Sequence, residues 1–189
     1  TGAASGNWND SANFSPMFVP TANDTVTIDS ATNHPRLTSN ASAYRLVLLD
    51  DTLDLNGYHM NVSNEALFSG GWLVDGQLEC KGTLASFAGT VIETTVKIDC
   101  TTLELNGSVF NQSCYFKAET GESRGGNEFY APVSLIHDGS GGESISLALE
   151  NGDTFHDTLY VTNSTDNDVY WSQSDTSYFK NCVHISSTG

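Results

Sequence analysis

The side chains that could do chemistry in this chain are scattered rather than clustered. The 189 residues include 23 Asp and Glu, but Asp50-Asp51 is the only adjacent pair of carboxylates. Hydrolysis of a glycosidic bond needs two carboxylates several ångströms apart across a cleft, and we interpret Asp50-Asp51 as a solvated corner. The histidines are scattered along the chain, so the sequence predicts no catalytic pairing of a serine with a histidine. The five histidines are His34, His59, His137, His156 and His184.

The cationic residues are too few for the chemistry of a polysaccharide lyase. Such enzymes use a basic residue to abstract a proton beside a carboxylate, and they neutralise the substrate's charge with cations. Here only 7 Lys and Arg are spread singly along a chain of net charge −16, which would repel a polyuronate. The same charge opposes binding to nucleic acid or to an anionic membrane. We therefore expect no catalytic residues and no nucleic-acid partner.

Calcium is the only ion with any support in the sequence. The tract Asp166-Asn-Asp168 is the densest run of oxygen ligands, which calcium prefers. It lacks the Gly and the distal Glu of an EF-hand loop, and the chain has no Gly-Gly-x-Gly-x-Asp repeat. We expect a solvated turn there and no cofactor, with Ca²⁺ as the alternative.

The four cysteines, Cys80, Cys100, Cys114 and Cys182, form no C-x-x-C pair, so zinc has little support. Cys80 and Cys100 share the same strand phase and are separated in the sequence by roughly the length of one repeat. If one turn of the fold has that length, they meet as a disulfide or as buried thiols. Buried thiols are the expectation, because a free Cys packs as a small hydrophobe.

The composition specifies which elements must position these residues. Ser, Thr, Asn and Gly number 22, 20, 16 and 17, together 75 of 189 residues, and they are poor helix formers. A helical bundle is therefore excluded in favour of short strands and turns. No run of 18 or more apolar residues occurs, so no segment is expected to insert directly into a membrane.

A repeat organises the second half of the chain. Four segments read Phe, three residues, apolar, any residue, apolar, and their phenylalanines are 19, 26 and 24 residues apart. Residues 87–91 match the first half of the pattern and precede the segment that begins at Phe110 by a similar interval. A short second strand lies between successive phenylalanines, as at 145–149 and 169–171. The four segments are residues 110–116, 129–135, 155–161 and 179–185.

These repeats predict an all-β protein, namely a right-handed parallel β-solenoid (β-helix) of about six to eight rungs. One unit cannot bury its apolar face alone, whereas stacked units build a continuous interior. Residues 1–24 are expected to form an N-terminal cap and residues 25–189 the rungs. The open C-terminal edge predicts that this is a fragment truncated from a longer chain. An antiparallel β-sandwich is the alternative, since short, regularly spaced strands also fit it.

One outward position of the repeat could bind a ligand. The residues between the two apolar positions of the Phe-anchored segments are Tyr115, Ser134, Tyr160 and His184. If the rungs stack in register, these four side chains form one exterior column, whose rings could stack on sugars through their apolar faces. The alternative is that an outward Tyr simply favours a strand.

Two tracts resemble a known group of surface proteins. The opening Ser5-Gly-Asn-Trp-Asn-Asp10, followed by Val19-Pro-Thr-Ala-Asn-Asp24, resembles the start of large secreted β-rich proteins of Bacteroidetes. The tract from Gly126-Asn-Glu-Phe129 through Gly152-Asp-Thr-Phe155 resembles the repeats of SprB-like gliding adhesins. The resemblance implies an extracellular or cell-surface protein exported by the type IX secretion route. The cysteines depart from the pattern of such repeats.

That resemblance also implies O-glycosylation, which in this lineage occurs at Asp-Ser/Thr followed by an apolar residue or Thr. The matching sites begin at Asp10, Asp24, Asp29, Asp51 and Asp157.

We therefore expect a non-catalytic structural and adhesive segment of a cell-surface adhesin, mediating surface attachment or gliding. Its partners would be a surface polysaccharide, an abiotic or host surface, and the remainder of the parent filament. The alternatives are a carbohydrate-binding module of a polysaccharide-degrading protein and, third, a polysaccharide lyase or hydrolase.

Overall fold

The computed structural model describes residues 4–139, 143–171 and 175–188, and these are almost entirely strand and turn. Within those ranges the only helix is a 3₁₀ turn at Ser11–Asn13. The sixteen strands are β1 Thr25–Asp29, β2 Ala41–Leu49, β3 Thr52–Asp54, β4 His59–Ser69, β5 Trp72–Ala88, β6 Val91–Asn106, β7 Val109–Phe110, β8 Cys114–Gly125, β9 Glu128–Phe129, β10 Val133–His137, β11 Ile145–Leu147, β12 Thr154–Phe155, β13 Leu159–Asn163, β14 Val169–Trp171, β15 Tyr178–Phe179 and β16 Val183–Ser187.

Every strand pairing in the described residues is parallel, and the pairings form three columns that follow one another along each coil. Column A contains β3, residues 72–74 and 91–93, β7, β9, β12 and β15. Column B contains residues 41–43, 59–62, 77–82, 95–100 and 114–118, then β10, β13 and β16. Column C contains β1, residues 45–49, 65–69, 84–88, 102–106 and 120–125, then β11 and β14.

Six complete coils, from Thr52 to Trp171, therefore stack between partial coils at the two ends. The prediction of a parallel β-solenoid is confirmed, and the antiparallel sandwich is wrong. The physical reason is that inward residues recur at the same phase in successive coils, so that Val133 and Leu135 of β10 are in parallel register with Leu159 and Val161 of β13. One apolar stripe per strand needs a neighbouring coil on each side to bury it.

The coils are not equally long. In the middle of the stack, the register partners Glu79 and Lys97 have a sequence separation of 18. Between β10 and β13, the partners His137 and Asn163 have a separation of 26. The later coils therefore carry extra residues, and these lie in the corners because the paired strands keep their register.

The tight corners depend on glycine at two places. Gly71 (φ +74°) and Gly125 (φ +85°) have backbone conformations that other residues rarely adopt. Both also lie close to a neighbouring coil: a Cβ on Gly71 would be 2.0 Å from Asp51 O of the preceding coil, and one on Gly125 would be 1.6 Å from Asn151 O of the following coil. A side chain at either position would therefore push two neighbouring coils apart.

The repeated phenylalanines form a ladder along the interior of column A. Phe110, Phe129, Phe155 and Phe179 stack with ring centroids 4.9, 4.7 and 5.2 Å apart and planes within 10°. The intervals between these phenylalanines are therefore coil lengths, as predicted. Each such pair adds about 0.5–1.5 kcal/mol beyond simple burial.

The alignment of Phe87 with this ladder is wrong. Phe87 belongs to column C, where it stacks on Phe68 of the preceding coil at 5.1 Å. Its ring meets Phe110 only across the interior, edge to face at 5.5 Å. Column C also has an interior aromatic position, and a one-dimensional match of phenylalanines does not distinguish the two columns.

The two ends of the stack differ. At the N-terminal end, Asn7 pairs with Arg36, and Trp8 is 2% exposed and contacts Phe14 at a centroid distance of 5.4 Å. At the other end, Phe179 and Val183 are about 40% exposed although they occupy interior positions of the repeat.

Candidate functional site

The four residues predicted to form one column lie in consecutive coils of column B. Tyr115 is in register with Ser134, Ser134 with Tyr160, and Tyr160 with His184. The preceding position is Lys97. Period-two alternation places all of them outside, because the residues on either side of each are interior. This arrangement is the one that the sequence predicts, and contact with a glycan stays a prediction.

Two rings of this column stack along the solenoid axis. Tyr160 and His184 are stacked with centroids 5.1 Å apart and planes 10° apart. Neighbouring strands are about 4.8 Å apart, so the two rings lie one above the other and direct their edges to solvent. A sugar therefore cannot lie flat over the faces of both rings at once. The sequence-based expectation that the rings of the column stack on sugars through their apolar faces is restricted accordingly. Only a ring face at the end of such a stack remains open.

A second exposed cluster, which the sequence reasoning missed, lies at the outer side of column A. The rings of Tyr130 and His156 are stacked at 4.0 Å and 16°. Glu128 accepts hydrogen bonds from the hydroxyl of Tyr130 and from Nε2 of His156, the latter at 3.3 Å. Nζ of Lys180 lies 3.4 Å from Nδ1 of His156. A signal for this cluster was present, because Tyr130, His156 and Lys180 each directly follow a phenylalanine of the repeat.

Hydrogen bonding within this cluster affects two ionisation equilibria. The bond from Tyr130, reinforced by His156, lowers the pKa of the Glu128 carboxyl. The same bond raises the pKa of the Tyr130 hydroxyl, because it stabilises the protonated phenol. A Lys180 ammonium that donates to Nδ1 leaves Nε2 of His156 as the protonated nitrogen facing Glu128. The cluster thus presents a fixed set of donors and acceptors to solvent.

Two lysines of column B are paired with carboxylates of neighbouring coils. Lys97 lies 3.0 Å from Glu79, and Lys117 lies 2.6 Å from Asp138. The hydrogen bond from Lys97 is the main reason that the pKa of Glu79 is lowered. These exposed pairs contribute little stability.

Buried polar side chains form an internal ladder at the corner before column A. The backbone N–H of each residue donates to the side chain of its counterpart one coil later. The distances are 3.2 Å from Thr90 to Ser108, 3.0 Å from Ser108 to Asn127, and 2.9 Å from Asn127 to Asp153. Asp153 in turn donates to Ser177 at 3.2 Å. We call Thr90, Ser108, Asn127, Asp153 and Ser177 the polar ladder; it satisfies buried N–H groups at a corner where strand pairing is interrupted.

Asp153 is the acidic member of the polar ladder and is 1% exposed. Burial raises the pKa of its carboxyl, although the backbone and side-chain amides of Asn127 and the hydroxyl of Ser123 donate to it. Desolvation therefore outweighs these hydrogen bonds.

Asp51 occupies the corresponding corner nearer the N-terminus, and its interpretation as a solvated residue is wrong. It is 4% exposed and accepts hydrogen bonds from the N–H groups of Ala31 and Thr52 and from His34. Burial alone would raise the pKa of the Asp51 carboxyl, but these three donors together lower it. Asp50 is exposed, as expected.

His137 is also interior, with no exposed surface. Its Nε2 lies 3.0 and 3.1 Å from the carbonyl oxygens of Glu119 and Glu143, and its Nδ1 lies 3.1 Å from Asn163 Oδ1. The ring joins column B to the corner that follows it.

The cysteines are free thiols in the structure, three of them buried. Cys80 is in register with Ile98, and Cys100 with Gly82. The sequence separation of the two cysteines therefore exceeds the sequence separation of register partners in their strands by two residues. As a result, the two thiols lie two positions apart along neighbouring strands. Burial raises the pKa of Cys80 and of Cys100 to about 12.

The proposed calcium tract is an exposed turn. Asp168 accepts a hydrogen bond from the hydroxyl of Tyr170 at 2.9 Å, and the Asn167 carbonyl accepts one from Asn163. Among the described residues no group of three or more His, Cys, Asp or Glu side chains is placed to hold a metal ion.

The described part of the chain contains no helix that could cross a membrane. Comparison with known proteins found no protein-family model, no curated protein and no solved structure that matches the chain.

Proposed function

We propose that this chain is a non-catalytic structural and adhesive segment of a bacterial cell-surface adhesin, acting in surface attachment or gliding. The observation that carries the proposal is the uninterrupted stacking of coils along one axis, in three columns. With about 4.8 Å per coil, the stack is a rod that sets a fixed distance between whatever lies at its ends.

The interior supports such a mechanical role. Stacked rings from Phe110 to Phe179 and the polar ladder both run across coils, so each coil is held to the next by side chains as well as by backbone pairing. The acidic exterior, at a net charge of −16, keeps long assemblies soluble. The resemblance to SprB-like repeats supports a cell-surface location and type IX export, with the remainder of a parent filament as the partner.

Single-molecule stretching of the chain between its termini tests the mechanical part of the proposal. Register partners in successive coils have sequence separations between 18 and 26. Release of one coil should therefore lengthen the chain by about 60–90 Å. Stepwise extensions of that size under load are expected. Extension without measurable resistance would refute the mechanical role.

Adhesion is tested separately, with beads that carry the chain in flow over glass, over an apolar polymer and over polysaccharide films. Beads carrying an unrelated protein of similar net charge are the control. Retention on at least one surface above that control is expected, and its absence on all of them would refute the adhesive role. Labelling of intact cells with an antibody against the chain tests the extracellular location.

A second candidate, a carbohydrate-binding module, is favoured by one observation, the exposed column of Tyr115, Ser134, Tyr160 and His184. Screening of the chain against a glycan array tests it, with the double variant Tyr115→Ala/Tyr160→Ala as the loss-of-binding form. Tyr170→Ala, which removes a ring of similar exposure from column C, is the matched control. Loss of binding in the control as well would contradict a specific role for the column.

Product release from pectin, alginate or cellulose tests the third alternative, a lyase or hydrolase. We expect no products. Products that disappear in Glu128→Gln would instead assign catalysis to the cluster around Glu128 and overturn the non-catalytic proposal.

A further inference from the structure

Among the described rings, only His184 stacks on Tyr160. His184 covers the face toward the C-terminal end, at a centroid distance of 5.1 Å with nearly parallel planes. The opposite face is therefore directed toward the preceding coil. The side chain is 47% exposed, so solvent reaches it from outside the column.

The residue in register on that preceding coil is Ser134, and one coil further is Tyr115. The two tyrosines are thus two coils apart, about 9.6 Å along the column. The hydroxymethyl group of Ser134 is too short to fill the space that a ring fills elsewhere in this molecule. The space between the rings of Tyr115 and Tyr160 therefore has the height of one further ring, and the hydroxyl of Ser134 lies at its base.

The surroundings of this space decide what could enter it. Lys117, two residues after Tyr115, is paired with Asp138 at 2.6 Å, and Thr162, two residues after Tyr160, bonds Ser186 at 3.1 Å. These neighbours therefore bring no unpaired cation to the space, and the whole chain is strongly acidic. A neutral ligand fits this setting, whereas an anionic one would be repelled.

We propose that Tyr115, Ser134 and Tyr160 form a slot that holds one neutral pyranose ring of a polysaccharide, inserted edge-on. The C–H face of the sugar contacts the open face of Tyr160, whose π-system is electron-rich, and a sugar hydroxyl bonds Ser134. This inference rests on the carbohydrate-binding candidate and specifies where and how one sugar is bound. Because the slot is one sugar residue wide and lies on the side of the solenoid, it selects internal sugar units of a polysaccharide that runs across the solenoid.

Filling the slot is the sharpest test. In Ser134→Tyr the new ring takes the place of the sugar, so binding should fall at least about tenfold, while the melting temperature rises by about 1–3 °C from the added cross-strand ring contacts. Tyr160→Ser removes the open face and should also weaken binding about tenfold. Ser134→Ala keeps the slot open and should cost about threefold through one hydrogen bond.

The matched control is Ser146→Tyr, the same substitution in the same coil but on column C, next to Tyr170. It should leave binding unchanged. Titration calorimetry with the hexasaccharides of β-1,4-glucan, β-1,4-mannan and β-1,4-xylan provides the affinities, with tri-galacturonate as the anionic probe. Circular dichroism verifies that each variant is folded.

Binding of one neutral hexasaccharide that is lost in Ser134→Tyr and Tyr160→Ser, and kept in Ser146→Tyr, supports the slot. Equal binding by the parent chain and Ser134→Tyr overturns the slot and leaves carbohydrate binding elsewhere intact. No binding of any neutral hexasaccharide, or stronger binding of tri-galacturonate, also overturns it. Bead retention, measured independently, shows whether the adhesive proposal fails with it.

Discussion

Replacing Phe129 should reveal how much the interior ring ladder stabilises the solenoid. Phe129 is 2% exposed and lies between Phe110 at 4.9 Å and Phe155 at 4.7 Å. Phe129→Ala removes both stacking contacts and leaves a cavity that the rigid coils close only partly, so the free energy of unfolding should fall by about 3–5 kcal/mol. Phe129→Leu keeps most of the apolar volume and loses the stacking alone, about 1–3 kcal/mol for two pairs.

Phe179 provides the matched control within the same column. It stacks on Phe155 at 5.2 Å but is 40% exposed, whereas Phe129 is 2% exposed. Phe179→Ala should therefore cost about 1–2 kcal/mol, since a ring that is more exposed loses less buried apolar surface. The three variants are compared by urea unfolding followed by far-ultraviolet circular dichroism.

Two results would refute this reasoning. If Phe129→Leu unfolds within about 0.5 kcal/mol of the parent chain, ring stacking contributes nothing beyond apolar volume. If Phe179→Ala costs as much as Phe129→Ala, then burial of the ring within the stack does not determine the effect. The slope of the urea dependence should be the same in all variants, because a changed slope would indicate that coils unfold independently.

Three further predictions concern buried ionisable groups. Burial raises the pKa of Asp153, so the ionised carboxylate opposes folding above that pKa. Asp153→Asn should therefore be more stable than the parent chain at neutral pH. Urea titrations at several pH values should show this advantage shrinking as the pH falls toward 3.8. A gap that widens on acidification would contradict this sign. The pKa of Asp51 is lowered, so the ionised carboxylate stabilises the folded state above the unfolded-state pKa, and this stabilisation is lost as the pH falls through the folded-state pKa. In the same titrations, Asp51→Ala should lower the free energy of unfolding by about 1–3 kcal/mol at pH 7 and by progressively less in acid. Cys182 is exposed, whereas Cys80, Cys100 and Cys114 are buried and have raised pKa values. An aromatic disulfide reagent should therefore modify one thiol per folded chain and four after denaturation. More than one fast-reacting thiol in the folded chain would show that the buried cysteines are accessible.

The pattern of apolar residues made the coil architecture accessible from the sequence. The segments beginning at Phe110, Phe129, Phe155 and Phe179 alternate with period two, and such a stripe is buried only by a neighbouring coil. The same alternation placed Tyr115, Ser134, Tyr160 and His184 on one exterior column, as the strand register bears out.

Features that depend on which column a segment occupies were not accessible in the same way. Phe87 fits the repeat locally but lies in column C. Cys80 and Cys100 are not in register, because their sequence separation exceeds that of register partners in the two strands by two residues. The polar ladder was missed because Ser108, Asn127 and Asp153 have the residue types of solvent-exposed turns. Their burial follows only when the next coil covers the corner.

The sequence alone therefore determined the periodicity, the parallel stacking and the identity of the outward column, since these follow from local alternation and the need to bury an apolar stripe. Only the tertiary structure decided that the rings of Tyr160 and His184 stack on each other, and that Asp51 and Asp153 are buried. Side-chain direction and burial across coils depend on contacts between residues that are one full coil apart in the sequence, and the coil length that sets those contacts varies along the chain.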